Sequence, residues 1–300
     1  LFYGAGPCGY AAAAFSVAAP GSTVVAIQPQ ATLDPDVTEW DDRFTHMRRT
    51  DFTSRFGFAP DMIDAAAQVF VVYDPLESHD AMHAALFTRP NVTKLRMRNM
   101  GEACTAANRF LVHESVAEEF AEKLAARMGA LTVGRGQDEG VDVGPLIEEK
   151  AVESVSQLVT DAVHDGARLL TGGTVPDGPG FFYPPTVLLG VPADSAINAE
   201  EIFGPVAPIT TFETEDEAVA RANDTEYGLA SYVYTRDLSR TIRMAERLEY
   251  GMVGINTGMI STAVAPFGGI KSSGFGREGS HFGIEDYTEL KYRCYHIAAR

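Results

Sequence analysis

The chain has 300 residues, about two domains' worth, with 45% hydrophobic and 22% charged residues, a balance that buries a core and excludes disorder as the main state. Its 41 acidic against 24 basic residues leave a net charge of −17, which opposes binding to a nucleic-acid backbone or an anionic membrane where no basic patch intervenes, and none stands out. Three scattered cysteines, Cys8, Cys104 and Cys294, are too few for a disulfide framework or a zinc site and fit a reducing, cytoplasmic setting.

The first residue is Leu1 and not Met, as in a fragment or a processed chain. Leu1 to Leu33 carries no charge, yet it lacks the basic leading segment of a signal peptide, and Pro20-Gly21 divides it. It reads as helix (Tyr10 to Ala19), turn, then strand (Thr23 to Ile27). Gly4-x-Gly6-x-x-Gly9 matches a dinucleotide-binding fingerprint, but the acid expected at the end of the second strand is replaced by Gln28-Pro29-Gln30. The same turn read as a hydrolase nucleophile elbow puts Gly6, which has no side chain, at its centre, and taking Cys8 instead puts Tyr10 where a small residue is needed. A tight structural turn between strand and helix is the favoured reading. Further on, Asp61 to Gln68 reads as helix, Val69 to Tyr73 as a buried strand and Ser78 to Phe87 as helix, a pattern that implies a parallel sheet with flanking helices.

From about Arg98 the helices lengthen. Ser115 and Glu118 form a capping box opening a helix to about Met128, with Val116, Phe120, Leu124 and Met128 on the expected core face. Val152, Val155, Val159 and Val163 mark a helix within Ile147 to His164, followed by a turn at Asp165-Gly166 and a strand from Ala167 to Leu170. Strands are expected at Phe181 to Val191, Val206 to Phe212, Ser231 to Tyr234 and Met252 to Asn256, and helices at Glu215 to Asn223 and Asp237 to Leu248. The last fifteen residues, with Tyr287, Leu290, Tyr292 and Tyr295, read as a terminal strand.

Arg98-Asn-Met-Gly-Glu-Ala-Cys104-Thr-Ala-Ala-Asn-Arg109 resembles the active-site segment of aldehyde dehydrogenases. The resemblance runs from about Met97 to the C-terminus and includes Glu200-Glu-Ile-Phe-Gly-Pro-Val206, Gly254-Ile-Asn-Thr-Gly258 and Pro266-Phe-Gly-Gly-Ile-Lys-Ser-Ser-Gly274. The ending Gly276 to Tyr287 is most similar to the succinate-semialdehyde group of that family. The resemblance implies an α/β catalytic domain with a parallel sheet and flanking helices, preceded by a small α/β segment of unrelated origin. The expected division is 1–96, 97–285 for catalysis, and 286–300 as an oligomerisation strand.

By the same resemblance Cys104 is the nucleophile, which forms a thiohemiacetal and then a thioester, with its main-chain N–H supporting the oxyanion. Without the motif, a lone cysteine with apolar neighbours reads as an inert buried thiol. Glu201 is implied to hold the ribose of NAD or NADP, Phe203 to lie beside the nicotinamide and Phe267 to line the substrate tunnel. Arg98 and Ser261 match the cation and hydroxyl that take a substrate carboxylate. No metal is implied. Ala106 stands where some relatives carry a second, redox-active Cys, and Glu102 stands where Gln is usual, a departure expected to disfavour the thiolate slightly. Cys294 is expected to be structural.

An intact member also has a cofactor domain, an oxyanion-hole Asn, a ribose-binding Lys and a general-base Glu ahead of this segment, and residues 1–96 show none of them. The resemblance therefore implies a truncated or chimeric dehydrogenase, inactive if nothing replaces that domain. The alternative is a non-catalytic assembly module whose terminal strand pairs with a partner. A small aldehyde is the expected substrate, a second copy or a full-length dehydrogenase the expected partner, with no nucleic acid and no membrane.

Overall fold

A computed structural model of the chain describes residues 1–5, 7–41, 56–73, 78–96, 101–258, 260–261 and 265–295. The chain divides into two compact units, 1–218 and 219–300.

The first unit opens with a parallel sheet in the order β1 (Phe2–Ala5), β2 (Thr23–Ile27), β3 (Gln68–Tyr73), β4 (Val92–Arg96). Helix α1 (Pro7–Phe15) links the first two strands and α2 (Ser78–Leu86) the last two. Val24, Ala26, Val69 and Val71 are fully buried with Ala13, Ala14 and Phe87, as alternating strand residues under helices must be. The strand order runs 1-2-3-4 without reversal, so the described strands offer no switch-point crevice of the kind that takes a dinucleotide. Gly6, the centre of the glycine fingerprint, lies outside the described residues.

One expectation fails here. Asp61 to Gln68 is not a helix: a single 3-10 turn, Ala59–Asp61, is followed by an Ile63 to Ala66 turn, and β3 already begins at Gln68. That segment is too short to repay helix nucleation, and Asn91 Nδ2 takes its carbonyls at Ile63 and Ala66, both at 2.9 Å. Strand β4 was not anticipated, because its Lys94 and Arg96 interrupt the apolar pattern, as charges do on an edge strand.

The connection after β2 is held to α2 by buried polar contacts. His83 accepts the Ala31 N–H at Nδ1 (3.1 Å) and faces Asp41 through Nε2 (2.7 Å), with both side chains essentially inaccessible. Trp40 lies on this pair, its ring centroid 4.7 Å from that of His83.

The second sheet of this unit runs β5 (Phe110–His113), β8 (Val206–Phe212), β7 (Thr186–Leu189), β6 (Arg168–Thr171), parallel except for the antiparallel β6–β7 pair at the edge. The expected strand from Phe181 is shortened at its start. Pro184 and Pro185 have no N–H for a ladder, so pairing begins at Thr186.

Helix α3 (Glu114–Gly129) covers this sheet with Ala117, Ala121 and Met128, whereas Val116 and Phe120 of the expected face are exposed. Small alanines let the helix backbone approach the strands closely. The capping box does not form either: His113 is the N-cap and accepts the Ser115 N–H at 3.2 Å, while Glu118 pairs with Arg168. Helix α4 (Glu149–His164) buries Val152, Val155 and Val159 as expected, but leaves Val163 exposed and completes its face with Leu158 and Ala162.

The boundary between the units falls within α5 (Glu215–Asn223). The second unit pairs β10 (Ala230–Val233) with β11 (Met252–Ile255) in parallel, and β9 (Tyr227–Gly228) with β12 (Ile270–Lys271) in antiparallel. Helix α6 (Leu238–Arg247) starts at Asp237, whose side chain accepts the Arg240 N–H at 2.9 Å, a bond that lowers the carboxyl pKa. Val219, Val233, Met244 and Leu248 form its small core. Residues 282–287 are a 3-10 helix, and the described part of the expected terminal strand, up to residue 295, pairs with no strand among the described residues. Among the described residues no helix is long and apolar enough to cross a membrane.

Candidate active site

The loop 101–109 leads into β5 and carries Cys104. The Ala106 N–H bonds to the Ala103 carbonyl at 2.9 Å, closing a β-turn with Cys104 and Thr105 as its central residues. A tight turn pushes its central side chains outward, and Cys104 is exposed as a free thiol.

The loop 199–205 leads into β8. Within it exposure alternates: Ile202 is buried in the core under α4, while Glu201 and Phe203 on either side are exposed. Burial of Ile202 anchors the loop and turns its two neighbours outward. Phe203 has φ +46°, a left-handed conformation that a bulky residue adopts only when its surroundings impose it.

Two contacts hold these loops together. The side chain of Asn108 donates to the Glu200 carbonyl and accepts the Ile202 N–H, both at 2.8 Å, spanning the residues on either side of Glu201. Gly101, at φ +95°, presses its α-carbon against the Gly204 carbonyl, where a Cβ would clash with backbone. Since β5 and β8 are neighbouring parallel strands, both loops enter the sheet at the same end. The sequence alone gives Asn108, Gly101 and Gly204 no role, although all three lie inside the segments that resemble the family. Their signal was a polar residue and glycines at fixed places, with nothing to say which backbone they meet.

Glu102, between Gly101 and Cys104, is half-buried. Its Oε1 is inaccessible and has no hydrogen-bond partner among the described residues. Burial pushes its carboxyl up to about 7 from an ordinary 4.5.

Cys104, Glu201 and Phe203 thus share one unit, and their two loops are in contact. Ser261 and Phe267 belong to the second unit: Ser261 is exposed, and Phe267 exchanges main-chain bonds with Glu278 at 2.8 and 2.7 Å. Arg98 lies outside the described residues. Cys294 is exposed and not packed into a strand, so the expectation of a structural thiol fails. Among the described residues no group of three or more His, Cys, Asp or Glu side chains is arranged to hold a metal ion.

The sequence model described as "Aldehyde dehydrogenase family" matches residues 80–292. The chain belongs to the aldehyde dehydrogenase family. The match begins within α2, ahead of the motifs that first mark the family in the sequence. Among similar proteins, the succinate-semialdehyde dehydrogenase of Paenarthrobacter nicotinovorans is 56% identical over 223 residues, 74% of this chain and 48% of that protein. The glutarate-semialdehyde dehydrogenase of Pseudomonas putida is 51% identical over 225 residues, 75% of this chain and 45% of that protein. The crystal structure of succinate-semialdehyde dehydrogenase from Burkholderia pseudomallei superposes with TM-score 0.62 at 42% identity, covering 77% of this chain and 54% of that one. This aldehyde dehydrogenase chain spans about half the length of the curated relatives it matches. The family's fold, an α/β arrangement of parallel strands with flanking helices, is the one described above.

Members of the family use a nicotinamide dinucleotide, and the two residues present fit part of one. Glu201 has an exposed carboxylate, of the chemistry that ribose hydroxyls would take, and Phe203 a partly exposed ring, both on a loop held in place from the cysteine side.

Proposed function

We propose that this chain carries the catalytic part of an NAD- or NADP-dependent aldehyde dehydrogenase that oxidises succinate semialdehyde, or a similar aldehyde bearing a carboxylate, to the acid. The observation that carries this reading is the exposed Cys104 on its hydrogen-bonded turn, against the loop that bears Glu201 and Phe203. The Cys104 thiolate attacks the aldehyde carbon: an S–C bond forms, and the carbonyl electron pair moves to oxygen, to which the Cys104 main-chain N–H donates a hydrogen bond. The hydride of the thiohemiacetal carbon held by Cys104 would go to a nicotinamide, which, when bound beside Phe203, would supply the two-electron acceptor. Water then adds to the thioester, the C–S bond breaks, and the acid leaves with Cys104 restored.

Glu201 would hold the ribose, Phe203 would flank the ring, Arg98 and Ser261 would take the substrate carboxylate and Phe267 would line the substrate's path. Two of the similar proteins are named for aldehydes that end in a carboxylate, which supports this assignment. Residues 97–285 are assigned to catalysis and 286–300 to contact with a second copy or a full-length dehydrogenase, in the cytoplasm. Residues 1–79, which lie outside the family match, are assigned to an α/β segment of separate origin, and the match takes in 80–96, so the boundary lies earlier than the expected 96.

The test is reduced-cofactor formation by the purified chain with succinate semialdehyde and NAD or NADP. Turnover abolished by Cys104→Ala establishes the activity, and no turnover from a folded chain overturns it. A second reading, a non-catalytic assembly module, draws on the exposure of Tyr287, Leu290, Tyr292 and Tyr295. It predicts capture of a full-length dehydrogenase without intrinsic turnover.

A further inference from the structure

Within the second unit, the segment 276–286 folds back on the loop that carries Phe267. Phe267 and Glu278 exchange main-chain hydrogen bonds at 2.8 and 2.7 Å. The neighbouring Arg277 adds a side-chain tie. Its guanidinium donates from Nη1 to the Gly269 carbonyl at 2.8 Å and to the Gly276 carbonyl at 2.7 Å, so one group joins the end of the Phe267 loop to the segment that returns to it. Gly268 lies against this tie: a Cβ there would meet the Gly276 carbonyl oxygen at 2.5 Å and the Arg277 stem at 2.9 Å. Arg277 is itself held. The Asp286 side chain, in the 3-10 helix 282–287, accepts the Arg277 main-chain N–H at Oδ2 (2.7 Å). Arg277 is half-buried, and a charged donor on a carbonyl makes a stronger bond than a neutral one, with its planar fork fixing the direction. The dehydrogenase reading gives neither Arg277 nor Asp286 a role.

We propose that Arg277 is a positioning residue that fixes the wall offered by Phe267, and thereby the preference among aldehydes of different bulk. Arg277 acts through Phe267 and makes no bond to the substrate. The Phe267 backbone is held at one point by Glu278 and two residues on, at Gly269, by the guanidinium. With both ties made, the wall is rigid: it grips a slender chain and refuses a wider one. Without the guanidinium the wall yields, and discrimination falls. The inference rests on Phe267 lining the substrate's path, and a readout on the loop itself, free of cofactor and turnover, separates its failure from that of the dehydrogenase reading.

The experiment takes two readouts on the full chain. In deuterium exchange, the Phe267 and Glu278 amides should exchange about tenfold faster in Arg277→Met, which keeps the stem without the donors, while β5 and β8 stay as they were. In the second readout an aldehyde slows alkylation of Cys104 by iodoacetamide, because it occupies the sulfur, and mass spectrometry of the Cys104 peptide gives the half-protecting concentration. Succinate semialdehyde is compared with 4-carboxybenzaldehyde. Both carry a carboxylate, so a change in their ratio between variants reads bulk. Arg277→Met should cut the preference for the slender aldehyde about three- to tenfold. Asp286→Asn, which keeps an acceptor for the Arg277 N–H, should match the unaltered chain. Asp286→Ala should move both readouts in the direction of Arg277→Met, and this exposed position decides if Arg277→Met does not fold. Unchanged amide exchange overturns the proposal, and so does an equal loss of protection by both aldehydes, which a merely structural role would give. If neither aldehyde protects Cys104 in the unaltered chain, the dehydrogenase reading fails and the preference falls with it.

Discussion

Asn108 joins two loops with one side chain, donating to one and accepting from the same segment two residues on. Asn108→Ala removes both bonds and should lower stability by about 1–2 kcal/mol, read as a shift of the urea midpoint at unchanged slope. The loss should also free Glu201 and Phe203, so cofactor binding should weaken more than alkylation of Cys104. Glu102 makes a prediction for stability as well. Its carboxyl ionises near 4.5 when unfolded and at about 7 when folded, so the folded state holds the extra proton between those values. Its contribution is complete below pH 4.5 and is lost as the pH rises through 7. Glu102→Gln should therefore flatten the pH dependence of the thermal midpoint from pH 5 to 8, and an unchanged slope would count against the burial seen here.

The elements show where a sequence speaks plainly and where it does not. Helix α4 was legible because its valines recur at helical spacing and three of them are buried. Helix α3 was legible in extent but only half in face, since Leu124 and Met128 meet the core as expected. Two of its large apolar residues, Val116 and Phe120, lie outside the core, and alanines, which carry little signal either way, pack against β7 and β8. Ala121→Leu should accordingly cost about 1–3 kcal/mol by overpacking, and Val116→Ser less than about 0.5 kcal/mol, measured by chemical denaturation. The cysteine segment was legible as a motif, and so were Glu201 and Phe203. What joins them was not, because the contact of Gly101 with the Gly204 carbonyl is between backbones far apart in the chain. Loss of the ladder before Thr186 follows from two prolines visible in the sequence, whereas the pairing of Glu118 with Arg168, fifty residues on, is a contact that local spacing does not reveal.

At the scale of the molecule, two sheets share the first unit, the first largely outside the family match and the second within it. The chain has one tryptophan, and Trp40 sits on the buried His83–Asp41 pair beside the first sheet. Its emission therefore reports on one end of the chain alone, while far-ultraviolet circular dichroism averages over every helix. Followed together through a denaturant titration, the two signals act as separate clocks. If residues 1–96 fold as a guest with their own cooperativity, the fluorescence midpoint should stand apart from the dichroism midpoint. Superimposed curves would mean that guest and host have become one cooperative body, with the seam between them invisible to unfolding.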